Sequence, residues 1–93
     1  MKYIVEYTGQ FKRKIKLLKK RGCDISKLEQ TIELLSANGK LGPEYKPHKL
    51  VGKYAGFWEC HIKPDWLLVW VQEETRLVMV MIDTGTHSDI FGK

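Results

Sequence analysis

Three histidines and one aspartate, His48, His61, His87 and Asp65, are the residues of this chain best suited to moving protons near neutral pH. An imidazole with an unperturbed pKa of ~6.5 populates both of its forms there, and a carboxylate accepts a proton or orients a ring. Such a set can cut RNA without a metal. One group takes the 2′-hydroxyl proton, another gives a proton to the 5′-oxygen, and a cation neutralises charge on the phosphorane. Lys49, Lys63 and Arg76 are candidates for that last task, and Trp66 and Phe91 for stacking on a base. Each residue also has a plainer use. Asp65 lies in a Pro-Asp turn, His61 on a strand surface, His48 in a loop after Pro47, His87 at a helix cap, and Trp66 and Phe91 can plug a small core. A metal site is disfavoured because no HxH or HxxxH pair predisposes two ligands to one ion. A serine or cysteine nucleophile lacks context: there is no GxSxG, and Cys60 is expected to face the core.

The stretch Phe57 to Trp70, FWECHIKPDWLLVW, must position most of these groups. Two apolar runs flank Lys63-Pro64-Asp65-Trp66, which reads as strand, tight turn, strand. Strands are expected at about 57–62, 67–72 and 77–83, with His48-Lys49-Leu50 as a short strand or an extended approach. Alternation puts Phe57, Glu59 and His61 on one face and Trp58, Cys60 and Ile62 on the core face. Upstream, Lys2 to Tyr7 reads as an opening strand. A helix starting at Thr8 or Gly9 follows, with Phe11, Ile15 and Leu18 at i, i+4, i+7 and Gly22 as its left-handed stop. Asp24 or Ser26 caps a second helix, Ser26 and Glu29 having capping-box spacing. Its stripe is Ile25, Leu28, Ile32 and Leu35, and Asn38-Gly39 ends it. The predicted fold is a single α+β domain over residues 1–93, with two N-terminal helices packed on a small, mostly antiparallel sheet. The order is β-α-α-β-β-β, with a short helical turn over Ser88 to Phe91.

Net charge of +5 conceals an asymmetry. Residues 1–21 carry eight Lys and Arg against Glu6 alone, a balance of +7, while the rest carries eight against ten acids, a balance of −2. The first helix, through Lys12, Arg13, Lys16, Lys19 and Lys20, presents a basic face that suits RNA phosphates or is simply solvated. No apolar run approaches the ~18 residues that span a bilayer, and the N-terminus does not read as a signal peptide, so the expected compartment is the cytoplasm. Two cysteines, Cys23 and Cys60, are too few for a disulfide scaffold.

Four segments together resemble the YafQ branch of the RelE/ParE toxin superfamily. They are Glu6-Tyr7-Thr8-Gly9-Gln10-Phe11 before a lysine-rich helix, His48-x-Leu50-x-Gly52, His61-Ile62-x-Pro64-Asp65-Trp66-Leu67-Leu68, and Thr84-Gly85-Thr86-His87-Ser88-Asp89-Ile90-Phe91. The resemblance implies a RelE-like fold and a type II toxin. Such a toxin is a ribosome-dependent endoribonuclease that cuts mRNA in the A site without cofactor or metal, held inactive in a hetero-oligomer with a DinJ-like antitoxin. By the same resemblance, His87 is the general acid, Asp65 or His61 the base, His48 positions phosphate or shares in proton transfer, and Phe91 holds a base. The basic helix docks on rRNA. Several relatives carry arginine just before the TGTH-like segment, where this chain has Asp83. Two alternatives stay open: a non-catalytic, ParE-like toxin and a basic RNA-binding module.

Overall fold

The computed structural model describes residues 2–92. Chain order is β1 (Ile4–Tyr7), α1 (Gly9–Lys20), α2 (Ile25–Asn38), β2 (His48–Lys49), β3 (Trp58–Lys63), β4 (Trp66–Glu73), β5 (Val78–Gly85) and α3 (His87–Phe91). The five strands form one sheet in the order β1-β5-β4-β3-β2. β1 runs parallel to β5, and every other pairing is antiparallel. Single 3-10 turns at Pro43–Tyr45 and Gly52–Tyr54 interrupt the irregular stretch around β2.

The helical stripes meet one face of the sheet. Phe11 and Leu18 from α1 and Leu28, Ile32 and Leu35 from α2 pack with Cys60, Trp66, Leu68, Trp70, Met79 and Met81. Burying each large apolar side chain is worth about 1.5–3 kcal/mol, so this layer supplies the main drive for the helix pair to dock. Leu67 and Val69 point away from that layer and are still buried, so β4 reads as an unbroken apolar run. Trp58 stacks on Trp70 across β3 and β4, with centroids 6.1 Å apart. Burial pushes the Cys60 thiol up to about 12, so it stays protonated and inert.

The helix ends follow their caps. Thr8 Oγ1 accepts the Phe11 N–H at 3.1 Å and opens α1. Asp24 caps α2, accepting both the N–H and the hydroxyl of Ser26. The expected Ser26–Glu29 capping box therefore does not form: the helix begins at Ile25, already inside it. A capping box occurs instead at α3, between Thr86 and Asp89. Gly39 ends α2 at φ 73°, where a Cβ would lie 2.8 Å from the Tyr3 ring, so only glycine fits without displacement. No helix among the described residues is long and apolar enough to cross a membrane.

Candidate active site

The face of the sheet away from α1 and α2 carries a row of aromatic rings. His48 pairs with Glu59 in the β2–β3 register, which sets it on the same face as His61 two residues on. The β3–β4 turn then brings Asp65 back toward α3, whose first residue is His87. His48 and His61 have ring centroids 6.4 Å apart, His61 and His87 6.0 Å, and His87 and Phe91 6.4 Å. His87 and Phe91 are four residues apart on one helical turn, hence on one side of α3. Tyr54 closes the row edge-on against Phe91 at 5.2 Å.

Each imidazole has its own polar setting. His87 Nδ1 lies 2.6 Å from Asp65 Oδ1, and the His87 backbone N–H donates to the same oxygen at 3.0 Å. That backbone N–H, then the ring, hold the Asp65 carboxyl below its usual range. Asp65 therefore accepts at Nδ1, and Nε2 is the His87 nitrogen left for a substrate. His61 Nδ1 faces the Pro64 carbonyl at 3.3 Å. A carbonyl only accepts, so the neutral ring keeps its proton on Nδ1 and a free lone pair on Nε2. His48 meets acceptors on both nitrogens, the Lys46 carbonyl at 2.9 Å and Glu59 Oε1 at 3.2 Å. Glu59 is buried, and its other oxygen, Oε2, has no hydrogen-bond partner.

Four residues expected at the site thus gather there with Phe91: His48, His61, Asp65 and His87. Of the expected phosphate cations, Lys63 borders two clefts beside them. One holds His61 and Lys46; the other, of about 420 Å³, holds Asp65 and Arg21. Three expectations require correction. Trp66 is not a stacking surface: it is 7% exposed, its indole N–H donates to Thr84 Oγ1 at 3.0 Å, and it belongs to the core. Arg76 pairs with Glu73 at 2.7 Å in the β4–β5 turn. The eight residues of β4, at ~3.3 Å each, separate it from Asp65. Lys49 follows His48 by one residue and so faces the other way, its Nζ 5.6 Å from the Trp58 ring centre.

Sequence reasoning missed Lys53 and Tyr54, which with His87 and Phe91 line a cleft of about 400 Å³. They sit in a 3-10 turn of an irregular segment, where no periodicity announces a face. Glu59 was signalled by alternation, which already set it on the His61 side. Asp83 is buried and takes the Lys14 ammonium at 2.9 Å, with the Thr84 N–H on the same oxygen. Lys12, Arg13, Lys16, Lys19 and Lys20 are all exposed along α1. Among the described residues no group of three or more His, Cys, Asp or Glu is arranged to hold a metal ion.

Residues 3–92 match the family described as the bacterial toxin of type II toxin-antitoxin system, YafQ. The chain is 37% identical over 89 residues to the mRNA interferase toxin YafQ of Escherichia coli K12, covering 95% of each chain. It is also similar to the toxin in the crystal structure of the E. coli DinJ-YafQ toxin-antitoxin complex. There the TM-score is 0.88 at 34% identity, over 99% of this chain and 100% of that one. A metal-bound toxin from Helicobacter pylori superposes with a TM-score of 0.86 at 34% identity, over 96% of this chain and 99% of the other.

Proposed function

Because the chain belongs to the YafQ family of type II toxin–antitoxin toxins, we propose that it is an mRNA interferase. It is an endoribonuclease that cuts mRNA on the ribosome by general acid–base chemistry, without a metal in the catalytic step. The observation that carries this reading is the 2.6 Å contact between His87 and Asp65, formed within ring-contact range of His61.

The hydrogen bonds support a division of roles. His61 Nε2, with its lone pair free, removes the 2′-hydroxyl proton, and the 2′-oxygen attacks phosphorus. As the P–O5′ bond breaks, His87 Nε2 delivers a proton to the 5′-oxygen, while Asp65 stabilises the ring that carries it. Asp65, already accepting twice from His87, is less suited to be the base. His48, held between Lys46 and Glu59, suits positioning of the phosphate. With Asp83 closed in its ion pair, charge on the phosphorane falls to Lys63 and Lys53. Phe91 and Tyr54 offer an aromatic surface for a neighbouring base.

The five exposed cations of α1 dock on rRNA phosphates in this reading. The partner that silences the toxin is a DinJ-like antitoxin, as in the E. coli complex. Primer extension on transcripts after induction tests the proposal: cuts within translated codons are expected. His87→Ala and Asp65→Ala should abolish both cuts and growth arrest while leaving folding and antitoxin binding intact. DNA damage with intact mRNA, or full arrest by both variants, would overturn it. Cleavage should also persist when the toxin is stripped of transition metals at fixed magnesium; loss restored by one metal would overturn the metal-free step.

A further inference from the structure

The short helix that carries His87 and Phe91 has little of its own to keep it in place. It has five residues, none of them buried. Helix nucleation is unfavourable and isolated helices shorter than ~12–15 residues are marginal in water, so this one takes its position from tertiary ties. Two of those, His87 to Asp65 and Phe91 to Tyr54, belong to the site itself. A further set converges on Asp89. Arg21, just past α1, grips its carboxylate with two nitrogens, Nη1 to Oδ2 at 2.6 Å and Nη2 to Oδ1 at 3.0 Å. Oδ2 also accepts the Thr86 N–H at 2.9 Å and so closes the capping box. Lys14 Nζ donates to the Asp89 carbonyl at 3.1 Å and reaches Asp83 of β5 at 2.9 Å. The backbone before the helix is fitted to this arrangement: at Gly85, with φ 145°, a Cβ would come within 2.8 Å of the Asp89 side chain.

An isolated exposed ion pair is worth little. This one differs because its geometry is bidentate, its carboxylate side chain is only 14% exposed, and a second cation joins the same residue. By charge and location Arg21 would be grouped with the basic face of α1. Its guanidinium is instead spent on Asp89.

We propose that Arg21, through Asp89 and with Lys14, is a positioning residue that fixes the short helix so that His87 and Phe91 face the scissile phosphate. The inference rests on the nuclease reading above and adds a function for Lys14 of α1 and Arg21 at its end that is distinct from RNA docking. The ion pair reaches the chemistry without touching substrate. Its loss lets His87 wander, and misplacement of a reacting group by ~1 Å can cost about 10²-fold in rate.

The test compares wild type, Arg21→Gln, Asp89→Asn and the double variant in single-turnover cleavage of ribosome-bound mRNA. Ribosome affinity and its salt dependence are measured in parallel. Asp89→Asn keeps an oxygen for the cap and a near-identical shape, which guards against simple unfolding. Each single variant should lose about 10²-fold in the cleavage step with ribosome Kd unchanged. The double variant should be no worse than either single, since one interaction is removed in all three. In the free toxin, the downfield imidazole N–H resonance of His87 should broaden in the variants. Unchanged cleavage by Arg21→Gln would overturn the inference, as would a loss confined to ribosome affinity with a shallower salt slope. His87→Ala run alongside separates the two levels. If that variant is inactive and Arg21→Gln is not, positioning fails and the nuclease stands. If His87→Ala cleaves normally, the nuclease reading fails and the resonance alone decides whether Arg21 holds the helix.

Discussion

Two histidine–carboxylate pairs flank His61, and they are built differently. His87–Asp65 joins residues from separate segments, and its side chains are 51% and 65% exposed. His48–Glu59 is a cross-strand pair in which a half-exposed imidazole sits on a carboxylate side chain only 6% exposed. The first is open to a substrate on both members. In the second the acid is sealed inside, and both ring nitrogens already meet acceptors. One residue type and one partner type thus yield an exposed pair and a pair anchored on a buried acid. The difference comes from where the backbone ends: a turn and a helix start present the first pair, a sheet register presents the second.

The sharpest way to break this contrast is His87→Ala, which should lower single-turnover cleavage by about 10²–10⁴-fold, against a much smaller loss for His48→Ala. Equal losses would make the pairs equivalent. Next is Asp65→Asn, expected to cost about 10²-fold because an amide no longer stabilises the charged ring and can favour the wrong tautomer. Glu59→Gln should instead act on the fold, lowering stability by about 1–2 kcal/mol in urea titration while turnover stays within the same decade.

A gentler probe is acid. The carboxyls of Asp65 and Asp89 are both held below their ordinary range, Asp65 chiefly by the His87 backbone N–H and Asp89 chiefly by Arg21. Groups depressed in the folded state contribute stability above their unfolded pKa of ~3.9 and lose it as pH falls toward the folded value. Unfolding free energy should therefore drop below pH ~4, and the Asp65→Asn, Asp89→Asn double variant should show a flatter profile. An unchanged slope would show that neither carboxylate matters to acid stability. The smallest effect is expected at the basic face. Lys19→Gln should reduce the log–log salt slope of ribosome binding by about 1 and leave the cleavage step alone.

Much of this was legible in the sequence because it depends on local rules. The alternation through Trp58 to Ile62 separated His61 from the core face, and the Lys63-Pro64-Asp65-Trp66 stretch marked the tight turn that carries Asp65 between two strands. The stripe of Phe11, Ile15 and Leu18 fixed which side of α1 packs inward. What stayed hidden depends on distant pairing. Trp66 looked available for stacking until Thr84, eighteen residues away, supplied a partner for its indole. Lys49 and Arg76 have suitable chemistry, but a one-residue step and the length of β4 turn them away from the histidines. Arg21 belonged by composition to the basic patch, and only the fold reveals Asp89 sixty-eight residues on as its partner. Tyr54 lies in a segment without period, where composition marks no face.

The central claim, that His87 delivers a proton to the leaving 5′-oxygen, is tested most directly by changing that oxygen. A ribosome-bound mRNA with sulfur bridging phosphorus and the 5′-carbon at the cleavage position has a leaving group that needs no proton. His87→Ala should cut this substrate at close to the wild-type rate while remaining inactive on the ordinary one. An equal defect on both substrates would contradict the assignment.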